Sequence, residues 1–165
     1  MSDPANIRVG QGFDIHPWSE DPDRRLVLGG VTFADAGPGL VGHSDADVIA
    51  HAITDALLGA AGLGDIGSHF PDTDPSLFGA NSIDLLRAAV SNIRKAGWEP
   101  VNADCTVVLD APKLLPVRAE MEQNLSDAVG APVTVKGKRT EGVGSLGRGE
   151  GVACWAVALV RETSA

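Results

Sequence analysis

Apolar positions in the first third of the chain come in short runs. Residues 6–13 and 26–33 (LVLGGVTF) read as strands, joined by the charged, proline-bearing SEDPDRR. The run GFDIHPW, residues 12–18, keeps a strand-like pattern and sets Asp14 and His16 two apart. On a strand, such residues point to one face. DAGPGLVG reads as a loop on composition. From Ser44 the period changes to that of a helix. Val48, Ile49, Ala52, Ile53, Ala56, Leu57 and Ala60 form its apolar side, with Ser44 as N-cap and Asp47 approximating a capping box.

The stretch GLGDIGSHFPDTDPSLFGAN carries glycine and proline at intervals and predicts little regular structure. Loops of that length in compact domains are often functional. A second helix runs from about Ser82 to Ala96 and stops at Gly97. LPVRAEMEQNLSDAVG reads as a third, with Pro116 in its first turn. NADCTVVLD, APVTVKGK and GVACWAVALVRE read as strands, the last two around the glycine-rich EGVGSLGRGEG. The order is roughly β-β-α-α-β-α-β-β, with no internal repeat, low-complexity segment or linker. One α/β domain over residues 1–165 is the expectation.

Composition narrows the partners. At 44% hydrophobic and 21% charged residues, the chain has the balance of a soluble globular protein. It has no apolar run of about 18 residues, so no membrane partner is expected. MSDPANI lacks the basic and apolar regions of a secretory signal. Cys105 and Cys154 lie in apolar strand-like runs and read as buried thiols in a reducing cytoplasm. The net charge of −9 argues against a nucleic-acid partner. A small anionic ligand stays open, but any phosphate must meet local positive charge: a metal, a helix N-terminus or a few placed Lys and Arg.

Two clusters invite chemistry. On the first helix, Asp47, His51 and Asp55 recur every four residues near one face. An imidazole beside carboxylates can ligate a metal while an outer acid holds its other nitrogen. With Asp14 and His16 the set becomes two His and one carboxylate, which suits catalytic zinc with an open fourth position. The same residues also fit a solvated, salt-bridged helix face. Spacing alone does not bring residue 51 to residues 14 and 16.

GFDIH, GHSDADVIAHAITDALLGAAGLGDIG, FPDTDP, APKLLP and GRGEG occur in that order between about Arg8 and Val160. Together they resemble the 2-C-methyl-D-erythritol 2,4-cyclodiphosphate synthase family of the non-mevalonate isoprenoid pathway. That resemblance implies an α+β sandwich, one four-stranded mixed sheet with helices on one face, in a homotrimer with a central β-lined core. It implies a cytoplasmic phosphorus–oxygen lyase with its active site at the subunit interface. Such an enzyme converts 4-diphosphocytidyl-2-C-methyl-D-erythritol 2-phosphate to the cyclic diphosphate and CMP, the substrate's own 2-phosphate attacking its β-phosphate.

By match to the family's motifs, Asp14, His16 and His51 would bind zinc, and Glu141 a second divalent cation, Mg²⁺ or Mn²⁺. His43 and Ser44 would meet the phosphates, with His43 also stabilising the transition state. A helix N-terminus there would itself attract anions. Asp65, Ile66 and Gly67, with Phe70, Pro71, Asp72, Thr73 and Asp74, would form the loop that binds the methylerythritol. Leu109, Asp110, Ala111 and Pro112, followed by Lys113, Leu114 and Leu115, would form the cytidine pocket.

Two departures from the family pattern stand out. Where the family commonly carries Thr-Thr-Thr-Glu, this chain has Lys138, Arg139, Thr140 and Glu141. A guanidinium at Arg139 can stabilise phosphate charge, or can turn to solvent. Ser145 stands where many members carry an aromatic residue lining the central cavity. Arg148, two before Glu150, matches residues that ring the three-fold axis and hold an isoprenoid diphosphate; the pair could equally form interchain ion pairs. The competing functions are a zinc-dependent phosphohydrolase on a related CDP-linked substrate and a non-catalytic, isoprenoid-binding trimer. The length is expected to leave no room for the cytidylyltransferase domain fused to this one in some relatives.

Overall fold

The computed structural model describes residues 6–163; the MSDPA of the N-terminal reading lies outside them. The long strand β1 (Ile7–Pro17) pairs antiparallel with β6 (Gly151–Glu162). β6 pairs antiparallel with β4 (Trp98–Val108), and β4 pairs parallel with β5 (Val133–Lys138). The result is one four-stranded mixed sheet of order β1-β6-β4-β5. The parallel step requires a crossover. Here it runs through α4 (Arg118–Val129), which the left-handed Gly130 ends.

Alternation gives the sheet two unlike faces. Inward positions such as Ala103, Cys105, Val107, Cys154, Ala156 and Ala158 are buried, both cysteines as free thiols. They pack under α1 (Val48–Ala61), with α3 (Ser82–Lys95) against α1 and α4. The other face leaves Ile7, Val9, Phe13, Ile15, Trp155 and Val157 exposed, with the Phe13 and Trp155 rings 4.9 Å apart. The helices thus lie on one face, as expected.

The approach of α1 to β1 depends on absent side chains. A Cβ at Gly10 would fall 1.9 Å from the Ala56 carbonyl oxygen, and one at Gly12 1.9 Å from that of Ala52. Backbone therefore packs on backbone, and the next inward position of β1 beyond Gly12 is Asp14. On α1 the matching contacts run from Ala56 to Ala52, and His51, next to Ala52, reaches Asp14. The glycines set the distance at which strand and helix side chains meet.

Four elements differ from the sequence reading. LVLGGVTF is a hairpin of β2 (Leu26–Leu28) and β3 (Val31–Phe33), not one strand. Gly29 and Gly30, with φ of 58° and 73°, make the two-residue turn that hairpins favour. The N-cap of α1 is Asp47, not Ser44. Ala46 takes a left-handed φ of 58°, which breaks the chain between Ser44 and the helix. The third helix starts at Arg118, so Pro116 lies in the turn before it. β4 begins at Trp98 despite Pro100, because β5 pairs only from Ala103 and the strand has a free edge there, with a bulge before Asn102. The stretch 62–81 also holds two short pieces, α2 (Ile66–His69) and a 3₁₀ turn, Pro75–Leu77.

Candidate metal cleft and its neighbour

Asp14 and His16 project from the inner face of β1 toward His51 on α1. His16 Nε2 lies 2.9 Å and His51 Nδ1 3.1 Å from Asp14 Oδ2, and the two nitrogens are 3.3 Å apart. The side chains are 24%, 17% and 11% exposed in the order Asp14, His16, His51. Burial pushes the Asp14 carboxyl up, but hydrogen bonds and charge from both histidines outweigh it and hold it well below the usual range. Burial lowers the His16 pKa, yet the Asp14 hydrogen bond and charge leave it raised.

The far nitrogens are occupied. His16 Nδ1 is 2.6 Å from the Val41 carbonyl oxygen, so it donates there. His51 Nε2 is 2.8 Å from Ser82 Oγ and 3.1 Å from Ser44 Oγ. What converges at the centre is then a carboxylate oxygen and two imidazole nitrogens. Acceptors facing one another at this range are stable only around a proton or a cation. Tetrahedral coordination by nitrogen and oxygen ligands sets them about 3.3–3.4 Å apart; at 2.9–3.3 Å the three lie close to that spacing, and the donor set fits a divalent cation. Among the described residues, these three are the group of His, Cys, Asp or Glu with ligand atoms within 4.8 Å of one another.

The carboxylates flanking His51 in sequence have other tasks. Asp47 is fully buried and accepts from Gly29 N at 2.9 Å, Gly30 N at 2.7 Å, Ile49 N and Ala50 N. It caps α1 and fastens the hairpin turn to it. Complete burial pushes its carboxyl up, with those N–H groups opposing. Asp55 accepts from Ile66 N at 2.7 Å and so ties the loop after α1 to the helix. Its carboxyl too is raised by burial. The residue that stands behind His51 is Asp45, bonded to Ser82. No local spacing announces that partner, 37 residues from Ser82 in sequence.

The metal cleft has a volume near 470 Å³, and its walls include His43, Ser44, Ile66, Gly67, Phe70, Pro71 and Asp72. Ser44 is buried and receives the Ala46 N–H at 3.2 Å. His43 Nε2 donates to the Asp74 carbonyl at 2.8 Å, with Phe78 edge-on to its ring. Asp65, Thr73 and Asp74 are not in the wall. Asp65 caps α2 by accepting from Ser68, Asp74 caps the 3₁₀ turn by accepting from Ser76, and Thr73 is exposed. Those serine bonds hold both carboxyls below their usual range.

A second cleft, near 430 Å³, lies beside β5 and shares no lining residue with the first. Leu109, Asp110, Pro112, Lys113, Leu114, Leu115, Lys138 and Arg139 line it, with Arg118, which the sequence reading missed. Four of the chain's 13 Lys and Arg residues gather here, in a protein of net charge −9. Ala111 lines an adjoining cavity. Thr140 is buried beneath, its hydroxyl donating to Asp110 Oδ2 at 2.6 Å and its N–H to Oδ1 at 3.1 Å. These bonds hold the Asp110 carboxyl low and clip the ends of β4 and β5 together. Glu141 is exposed at a φ of 51°. Ser145 and Arg148 are exposed around the short α5 (Gly144–Gly147), and Arg148 Nε donates to Glu150 at 2.6 Å.

Comparison with known proteins gives one answer. The YgbB family model matches residues 7–161. A 2-C-methyl-D-erythritol 2,4-cyclodiphosphate synthase of Bordetella petrii is 54% identical over 161 residues, 96% of this chain and 98% of its own. One from Azoarcus is 53% identical over 157 residues, 93% and 95%. The bifunctional IspDF of Campylobacter jejuni superposes with a TM-score of 0.90 at 40% identity, over 97% of this chain and 43% of that one. The CDP complex of Plasmodium falciparum IspF gives 0.81 at 34% identity, over 96% and 98%. With its mixed sheet, its Asp-His-His cluster and these relatives in agreement, the chain belongs to the YgbB family of 2-C-methyl-D-erythritol 2,4-cyclodiphosphate synthases.

Proposed function

We propose that this chain is a phosphorus–oxygen lyase that forms 2-C-methyl-D-erythritol 2,4-cyclodiphosphate from the CDP-linked 2-phosphate precursor, releasing CMP. The observation that carries the reading is the convergence of Asp14, His16 and His51 on the floor of an open cleft, on a chain with these relatives. A zinc ion at those ligands would supply a fixed positive charge for phosphate oxygens. The chain's own residues do the rest. His43 and Ser44, before α1, would hold the phosphates, and His43 would meet charge that grows in the transition state. Ile66, Gly67 and the 70–72 wall would seat the polyol, Asp72 accepting from hydroxyls, with Asp65, Thr73 and Asp74 shaping that loop.

In this reading the basic cleft takes the nucleotide: residues 109–115 hold the cytidine, with Lys113, Lys138 and Arg139 over the diphosphate. Thr140 keeps Asp110 in place, and Glu141 would hold the second divalent ion, Mg²⁺ or Mn²⁺. An oxygen of the 2-phosphate bonds to the β-phosphorus, the bond to the α-phosphate's bridging oxygen breaks, and CMP carries that oxygen away. No enzyme nucleophile is needed, so positioning and charge dominate.

The two clefts share no lining residue within one chain, and we place one substrate across a metal cleft and a neighbour's basic cleft. A homotrimer packed through the apolar sheet face would bring the two together across each subunit boundary. Six large apolar side chains on that face support such an assembly. Arg148 and Ser145 would then stand near the three-fold axis, the place for an isoprenoid diphosphate. We place the enzyme in the cytoplasm; among the described residues no helix is long and apolar enough to cross a membrane. We read residues 1–165 as one domain.

Product analysis with the CDP-linked substrate tests the reading. Cyclic diphosphate with CMP is expected. A linear bisphosphate with CMP would make the protein a hydrolase, and no CMP at all would remove catalysis.

A further inference from the structure

The two imidazoles of the metal cleft are steadied differently. His16 leans on a backbone carbonyl, that of Val41. His51 leans on a side chain: Ser82 Oγ lies 2.8 Å from Nε2, and the Ser82 hydroxyl is hydrogen bonded to Asp45 Oδ1. Asp45 is itself held by the Ser82 N–H at 3.1 Å and the Asp47 N–H at 3.2 Å. Ser82 is 1% exposed and is the first residue of α3, so the chain of bonds joins α3 and the 44–47 turn to a ligand on α1.

The bonds have a direction. A serine hydroxyl has one proton, and an ionised carboxylate only accepts. That proton therefore goes to Asp45, and Ser82 Oγ faces His51 with a lone pair. Nε2 must then carry the imidazole hydrogen, which leaves the lone pair on Nδ1, the atom turned to Asp14 and His16. Ser44 Oγ, 3.1 Å from the same Nε2, can pass its own proton to Ser82 Oγ at 3.3 Å and so accept from Nε2 as well. Asp47 and Asp55 are engaged elsewhere.

We propose that Ser82 and Asp45 are positioning residues that select the His51 tautomer with Nδ1 free for a metal ion. The inference rests on the reading of Asp14, His16 and His51 as ligands. It predicts that metal affinity, and not only turnover, depends on two residues that touch neither the ion nor the substrate. An outer partner of this kind is worth about 10–100-fold in metal affinity.

The test is the affinity of the full chain for Zn²⁺, by competition with a chromogenic chelator at fixed neutral pH. Ser82→Ala is expected to weaken it about 10–100-fold, while Ser82→Thr, which keeps the hydroxyl, stays within about threefold. Nitrogen-15 spectra of the metal-free protein at mildly alkaline pH should show an Nε2–H tautomer at His51 that Ser82→Ala mixes with the other. A residue that merely starts α3 would lower thermal stability and leave both readouts alone. Unchanged affinity in Ser82→Ala beside a large loss in His51→Ala overturns this proposal and spares the ligand assignment. Unchanged affinity in His51→Ala overturns the assignment and, with it, the proposal. If Ser82→Ala does not fold, Asp45→Asn carries the test: weaker zinc is expected, and affinity within about twofold of the parent overturns it.

Discussion

The metal cleft and the basic cleft are opposite kinds of site. In the first, each histidine has its outer nitrogen bonded, and Ser44 has its own hydrogen bonds. In the second, Lys113, Arg118, Lys138 and Arg139 have no ion-pair partner among the described residues. One is organised by the fold of a single chain. The other is a set of long cations whose geometry a ligand or a neighbour must complete. Damage to the first should therefore appear in folding and metal content, and damage to the second in ligand affinity and salt dependence.

The largest effect that could break this contrast lies in β1. Gly12→Val would force backbone apart where strand and helix touch, costing about 3 kcal/mol or more, read by urea denaturation, with zinc lost in parallel. A variant that unfolds normally yet keeps zinc would show that the close approach does not build the cleft. Next comes His51→Ala. It should lose bound zinc and more than about a hundredfold in turnover while circular dichroism stays that of the parent. Chelation of the native protein should do the same, with recovery on adding zinc; activity that survives metal analysis at zero zinc would end the ligand reading.

The basic cleft should respond more mildly. Arg139→Ala is expected to slow turnover about tenfold and to weaken CDP binding less than that; the reverse pattern would make Arg139 a nucleotide contact. Smallest is Lys113→Ala, an exposed cation, with about a two- to fivefold loss in CDP affinity that shrinks as salt is added. If its effect were independent of salt, packing and not charge would explain it.

Much of the metal cleft was legible from local period. Asp14 and His16 share a strand face by alternation, and the four-residue spacing puts His51 on one helix face with Asp47 and Asp55. A clue to what joins them went unread: Gly10 and Gly12 lie on the same strand face, four and two positions before Asp14. Alternate glycines mean that something presses close. The outer support was not legible: Asp45 and Ser82 meet only because α3 returns over α1, and no pattern records that return. The Ser44 cap was misread for a related reason. Ser44 and Asp47 are both good caps, and the choice turns on Ala46 adopting a left-handed φ that alanine rarely takes. The Gly29-Gly30 hairpin was also missed, read through as one strand although its own residues signalled the turn.

The two clefts without a shared wall have a genetic consequence. If the halves that serve one substrate come from different subunits, a chain broken at His51 and a chain broken at Arg139 are each spoiled everywhere. Co-assembled, they are not. In a randomly mixed trimer about a quarter of the boundaries would pair an intact metal cleft with an intact basic cleft. Two alleles that each fail alone would then sustain growth together, because some boundaries join two sound halves.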